Sequence, residues 1–257
     1  MIIDSHCHLC DERLRPRQQE IISVLKQNGL ESVFEVGWDL QSSKDAVELS
    51  NLYDEVYAII GTHPHDAKNF DDTSREYYKE HAKDKKVLAI GEIGLDYYYD
   101  LSPRDVQKKV FEEQLVLADE VGLPVVLHIR DAYKDALDIL CANKDKLNNG
   151  ILLHCYASSK EMLREFNKLD CYYALGGAIT FKNAKKDDVI MAIPEDKLLI
   201  ETDSPYMTPV PFRGQTNVPY YVNLVVDKIA EVKNVDRSVI EKATYQNTLR
   251  LFSKYNR

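Results

Sequence analysis

The chain has 257 residues, 44% of them hydrophobic, and a formal net charge of −9. That length suits one sizeable core, which a (β/α)8 barrel of about 250 residues fills with little room for a second domain. The acidic balance excludes a broad basic face of the kind that grips duplex DNA through many phosphates, so a nucleic-acid substrate has to be held locally.

Five cysteines, an odd count, argue against a disulfide framework and fit reduced thiols. Cys7 and Cys10 form a C-x-x-C spacing with no second pair, which falls short of a structural zinc site. The opening Met-Ile-Ile-Asp-Ser-His enters a strand-like run with no basic segment or cleavage site of a secretory leader, and no apolar run is long enough to cross a bilayer. The expectation is a cytoplasmic monomer with no membrane association and no evident obligate protein partner.

Along the chain, short runs rich in Val, Ile, Leu and Tyr alternate with longer amphipathic stretches. The runs cover 1–9, 32–37, 56–62, 87–93, 124–129, 150–155, 171–177 and 198–202. Eight strands separated by helices predict an α/β fold, a TIM (β/α)8 barrel spanning 1–257 as one domain, with the active site at the carboxyl ends of the strands. Helix punctuation supports this. Pro16 precedes an apolar stretch that Asn28-Gly29 ends, Ser102-Pro103 reads as an N-cap with a proline at the first helical position, and Ser238 with Glu241 reads as a capping box.

The histidines carry the functional signal. Six of the seven (His6, His8, His63, His65, His128 and His154) fall at or just past the end of a predicted strand, and only His81 does not. Strand ends of a parallel barrel converge on one face, so these residues meet there. His6 and His8 are two apart, which turns both inward and Cys7 away. Glu92 in AIGEIG, His128 in VVLH, His154 in LLH and Asp203 in LIETD each follow an apolar run. A lone buried histidine or acid is more often a satisfied core residue; four of them beside an H-x-H pair reverse that reading.

Six such groups exceed what one tetrahedral ion needs. The predicted centre therefore holds two divalent cations bridged by Glu92, with His6, His8 and Asp203 on one and His128 and His154 on the other. Asp203 is the predicted general base, and Glu92 shares the catalytic role as bridge. Imidazoles favour zinc, manganese or iron over magnesium, an oxygen-seeking ion, so zinc, manganese and magnesium all stay open. His63, His65, Arg130 and Arg213 are predicted to meet an anionic substrate. Asp4 and Glu201, two residues from His6 and Asp203, are predicted to orient the ligands. Tyr97, Tyr98 and Tyr99 are expected to pack under the following loop rather than to stack on bases.

At these residues the chain resembles the TatD family of metal-dependent deoxyribonucleases, a branch of the amidohydrolase-like TIM barrels. The matching segments are IIDSHCHL from Ile2, GTHPH from Gly61, GEIGLDYYYD from Gly91, QKKVFEEQLVLADEVGLPVVLHIRDA from Gln107, LLHCY from Leu152, ITFKNAKK from Ile179 and LLIETDSPYMTPVPFRG from Leu198. They run in order over nearly the whole chain. The resemblance implies hydrolysis of DNA phosphodiester bonds, 3'-5' exonuclease-like on single strands or ends, with magnesium or another divalent cation. It carries over His6, His8, Glu92, His128, His154 and Asp203 as ligands, and His63 stands where the family has a substrate-side histidine. Two loops depart from the family: HCYASS after His154 lacks a glycine turn, and RGQTNVP from Arg213 lacks a basic and an acidic group, which puts substrate preference in question. The competing expectations are a hydrolase of another ester or amide, small-molecule or aminoacyl-tRNA, and a metal-binding protein without activity.

Overall fold

The structure is a computed structural model and describes residues 1–255. Eight strands form one parallel sheet in sequence order: β1 (Ile2–Cys7), β2 (Leu30–Val36), β3 (Val56–Ile60), β4 (Val87–Asp96), β5 (Val125–Arg130), β6 (Ile151–Leu153), β7 (Tyr172–Leu175) and β8 (Leu198–Ile200). Helices α1 (Gln18–Ser23), α2 (Leu40–Leu52), α3 (Asp72–His81), α4 (Arg104–Val121), α5 (Tyr133–Ala142), α6 (Lys160–Phe166) and α7 (Asp187–Ala192) follow the first seven strands in turn. The pair α8 (Val222–Lys233) and α9 (Arg237–Leu251) follows the eighth. This is the expected TIM barrel.

The sheet is joined into a barrel at β1 and β8 by few but specific bonds. Ser5 Oγ donates to the carbonyl of Ile200 at 2.9 Å, Asp203 N to the carbonyl of His6 at 3.0 Å, and His8 N to that of Ser204 at 2.7 Å. Asp4 adds its carboxylate, which accepts from Thr202 N at 2.8 Å and Thr202 Oγ1 at 2.5 Å. Asp4 also accepts from the backbone N of His6 at 3.4 Å, so it holds the backbone that carries His6 and Asp203 rather than a ligand imidazole.

Two apolar layers hold the barrel. Inside it pack Ile3, Phe34, Val36, Ile59, Val126, Leu152 and Leu199. Leu251, Phe252 and Tyr255 join them from the chain's last turns, with the rings of Phe34 and Phe252 edge to face at 5.0 Å. The outer faces of the strands and the helices make the second layer. Strand period two carries the interior into the site: Val126 leads to His128 and Arg130, Leu152 to His154, and Leu199 to Glu201 and Asp203. On β1 the period breaks, because Ile3 faces the interior and the pairing with β2 shifts between Asp4 and Cys7. Cys7, pointing outward, is buried, and both it and Cys10 are free thiols.

Gly29, the predicted stop, closes the turn after α1 with φ of 80°, and Gly122 does the same for α4 with φ of 68°. Asp39 and Ser42 form the capping box of α2. Pro103, not Ser102, stands at the N-cap of α4; Ser102 Oγ instead donates to the carbonyl of His65 at 2.8 Å and accepts from Lys68 N at 3.1 Å. The hydroxyl thus ties the loop carrying His65 to the one entering α4. At α9 no side chain caps the start, because Glu241 pairs with Arg237 at 2.6 Å instead of reaching back to Ser238.

Candidate metal centre

The carboxyl ends of the strands open into a cavity of ≈ 860 Å³. Its floor is Glu92, which lies within β4 rather than at its end, because the strand runs on to Asp96. The two oxygens of Glu92 face different partners. Oε2 lies 3.5 Å from His6 Nε2 and 3.9 Å from His8 Nε2, whereas Oε1 lies 2.8 Å from both His128 Nδ1 and His154 Nε2. Asp203 Oδ1 completes the first side at 3.4 Å from His8 Nε2.

All six predicted ligands therefore meet, and among the described residues three groups have ligand atoms within 4.8 Å of one another: His6, His8 and Asp203; His6, Glu92 and His154; His63, Glu92 and His128. His6 reaches further than the predicted partition, its ring stacked on that of His154 at 4.0 Å. The donor chemistry fits a cation. Both ring nitrogens of His6 are buried with no hydrogen-bond partner, a costly state that a cation beside Nε2, the nitrogen turned to Glu92, relieves in part.

Second bonds distinguish ligand from donor. His8 Nδ1 lies 2.9 Å from the carbonyl of Val36, an acceptor only, so Nδ1 carries a hydrogen and Nε2, turned to Asp203 and Glu92, is the nitrogen a cation takes once it displaces the proton there. His63 is the reverse: its Nδ1 accepts from His65 N at 3.1 Å, so neutral His63 carries its hydrogen on Nε2, 3.6 Å from Glu92 Oε1. That tautomer makes His63 a donor at the cavity wall, although it stands close to Glu92 and His128.

The electrostatics follow the same division. Burial opposes ionisation of Glu92, but the charge of His154 and the hydrogen bonds with His128 and His154 hold its carboxyl well below the usual range. Burial likewise works against Asp203, and the His8 hydrogen bond with the charge of His154 prevails and lowers it. Burial and the neighbouring His128 push His63 well down, keeping it neutral. His8 is opposed by burial yet pushed up to about 9 by the hydrogen bond and charge of Asp203 and the charge of Glu92.

Around the centre, Glu201 Oε1 accepts from Cys155 N at 2.5 Å and lies 3.5 Å from His154 Nδ1, on the side of that ring away from Glu92. Arg130 lines the cavity with its guanidinium over Tyr98 at 3.9 Å and Tyr99 at 4.9 Å. Arg213 lies elsewhere: its guanidinium covers Phe181 at 3.8 Å and it is not among the cavity-lining residues. Tyr98 and Tyr99 are 58% and 53% exposed, so the expected packing holds for Tyr97 alone, whose hydroxyl donates to Asp135 at 2.7 Å.

Sequence reasoning missed Trp38 and Tyr206, whose rings stand edge-on to His8 at 5.5 and 6.0 Å. It also missed Asp96, buried with Oδ2 2.9 Å from His128 Nε2 and 3.1 Å from His65 Nε2. Asp96 shares the strand period of Glu92, a signal that was present. Gly94 masked it by seeming to end the run; its φ is 137°, and a Cβ there would lie 2.1 Å from the carbonyl oxygen of His128.

Comparison with known proteins gives the same answer. Residues 3–253 match the family model described as TatD related DNase. The Bacillus subtilis protein named uncharacterized metal-dependent hydrolase YabD is 44% identical over 253 residues, 98% of this chain and 99% of its own. The Cronobacter sakazakii protein named 3'-5' ssDNA/RNA exonuclease TatD is 32% identical over 243 residues, 92% of each chain. The crystal structure of YJJV, a TatD homolog from Escherichia coli K12, superposes with a TM-score of 0.92 at 29% identity over 98% of both chains. The chain belongs to the TatD family of metal-dependent hydrolases.

Proposed function

We propose that this chain hydrolyses phosphodiester bonds of DNA from a single-stranded or frayed end, in the 3'-5' direction. The observation that carries the reading is Glu92, whose two oxygens face separate sets of imidazoles on one cavity floor. His6, His8, Asp203 and Glu92 would hold one divalent cation, and Glu92, His128 and His154 a second. Zinc and manganese suit the nitrogen-rich shell best, and magnesium suits the carboxylates. Divalent cations there supply a lowered pKa for water and charge for the phosphoryl oxygens.

The chain's own residues do the rest. Asp203, kept ionised beside the first group, accepts the proton of the attacking water. His63, hydrogen on Nε2, and Arg130, its plane set by Tyr98 and Tyr99, donate to phosphate oxygens. His65 lines the same wall. Trp38, Tyr99 and Tyr206 offer ring faces to unpaired bases, a mode of binding that tolerates an acidic protein because stacking needs no basic surface.

The test is hydrolysis of end-labelled single-stranded DNA by metal-stripped protein resupplied with magnesium, manganese or zinc singly, with Asp203→Asn as control. Stepwise shortening from the 3' end that needs both cation and Asp203 is expected. No cleavage under any ion moves the substrate to a small ester or an aminoacyl-tRNA bond.

A further inference from the structure

Asp96 ends β4 and is fully buried. Its carboxylate has no free side. Oδ1 accepts from Tyr98 N at 3.0 Å and Tyr99 N at 2.8 Å. Oδ2 receives His128 Nε2 at 2.9 Å, and His65 Nε2 approaches the same oxygen at 3.1 Å without hydrogen-bond alignment. Gln107 locks the backbone, its Oε1 accepting from Asp96 N at 2.9 Å and its Nε2 donating to the carbonyl of Asp96 at 3.1 Å. The carboxylate is thus fixed before any ligand arrives.

A carboxylate can only accept, so His128 Nε2 donates to Asp96; Nδ1 also faces a carboxylate, and its proton is the one a cation displaces, which leaves the imidazole neutral with its hydrogen on Nε2. A neutral imidazole with its hydrogen there has its lone pair on Nδ1, and Nδ1 faces Glu92 Oε1 at 2.8 Å and His154 Nε2 at 3.3 Å. Three atoms with lone pairs converge at that point. We propose that Asp96 is a positioning residue that fixes the tautomer of His128 and so turns Nδ1 into a ligand for the second cation. The proposal rests on the reading that Glu92, His128 and His154 hold that cation, and it adds the group that makes His128 competent.

The arrangement makes a sharp case of Asp96→Asn. The two backbone N–H groups of Tyr98 and Tyr99 claim the amide oxygen, which leaves the amide nitrogen, a donor, facing His128 Nε2. Nε2 must then present its lone pair, the hydrogen moves to Nδ1, and the ligand position is blocked. Shape and volume hardly change, so the loss is one of hydrogen placement; second contacts of this kind change metal affinity by about 10–100-fold.

Zinc binding to the full chain is followed by calorimetry for wild type, Asp96→Asn and His154→Ala. Asp96→Asn is expected to keep the tighter first event and weaken the second by about 10–100-fold, while His154→Ala abolishes the second. If His154→Ala loses the second ion and Asp96→Asn binds it as wild type does, the inference about Asp96 is overturned and the two-cation reading stands. If His154→Ala also leaves the second event unchanged, the two-cation reading fails and the inference falls with it. A second measurement needs no variant at Asp96: long-range 1H–15N spectra of zinc-loaded wild type, with His128 assigned by comparison with His128→Gln, should show its hydrogen on Nε2. A hydrogen on Nδ1 overturns the proposal.

Discussion

His8 donates its Nδ1–H to the carbonyl of Val36 at 2.9 Å and thereby presents Nε2 to Asp203 at 3.4 Å. In the metal-free protein the Asp203 and Glu92 charges overcome burial and push His8 up to about 9. A raised folded pKa means that His8 contributes to metal-free stability fully below its unfolded pKa of about 6.5 and loses that contribution as pH climbs through about 9. A cation has to displace the same proton, so affinity should rise with pH over that window and binding should release protons. Calorimetry in buffers of differing ionisation enthalpy reads both; an affinity that stays flat between about pH 7 and about pH 9 would remove His8 from the ligand set.

Asp203→Asn keeps the side chain's size and removes its ability to take a proton. Turnover should fall by about 10²–10⁴, with the melting temperature of the chelated protein little changed. Full turnover in single-turnover assays would refute both the ligand and the base role.

Arg130 is held by aromatic faces and makes no ion pair among the described residues, which leaves its edge for an anion. Arg130→Lys keeps the charge and loses the planar contact over Tyr98. The stacking is worth roughly 0.5–1 kcal/mol at a half-exposed site, so KM for DNA should rise by roughly twofold to fivefold with kcat unchanged. An unchanged KM and unchanged salt dependence would place the phosphate elsewhere.

Phe252 is fully buried at the end of the barrel opposite the cavity, its ring edge to face with Phe34 at 5.0 Å. Phe252→Ala should cost about 3–5 kcal/mol, seen as a lower denaturation midpoint, while the folded fraction binds cation with wild-type stoichiometry. Loss of binding in protein that is still folded would show that the two ends of the barrel are coupled.

The strands were legible because each is a run of branched and aromatic residues, and the six ligands because each follows or interrupts such a run. What escaped the sequence depends on partners from other strands. The tautomer of His8 is set by Val36, at the end of β2, and that of His63 by the turn that brings His65 N onto it. Asp96 escaped because Gly94 looks like a stop, whereas its φ of 137° lets β4 pass close against β5 and continue. Arg213 misled through proximity in sequence to Asp203; its loop folds the guanidinium onto Phe181. Asp4 reaches the backbone of His6 and Thr202 rather than an imidazole, because β1 does not keep the period of two.

The seam between β1 and β8 is held by His6 accepting from Asp203 N and by His8 donating to Ser204, so the residues that shut the barrel are those that bear the ligands. A chain whose first and last strands have parted has no His6–His8–Asp203 group to offer. Cation uptake therefore reports barrel closure directly: an ion in excess acts as a clasp on the fold, and a refolding experiment followed by cation binding would time the last strand's arrival.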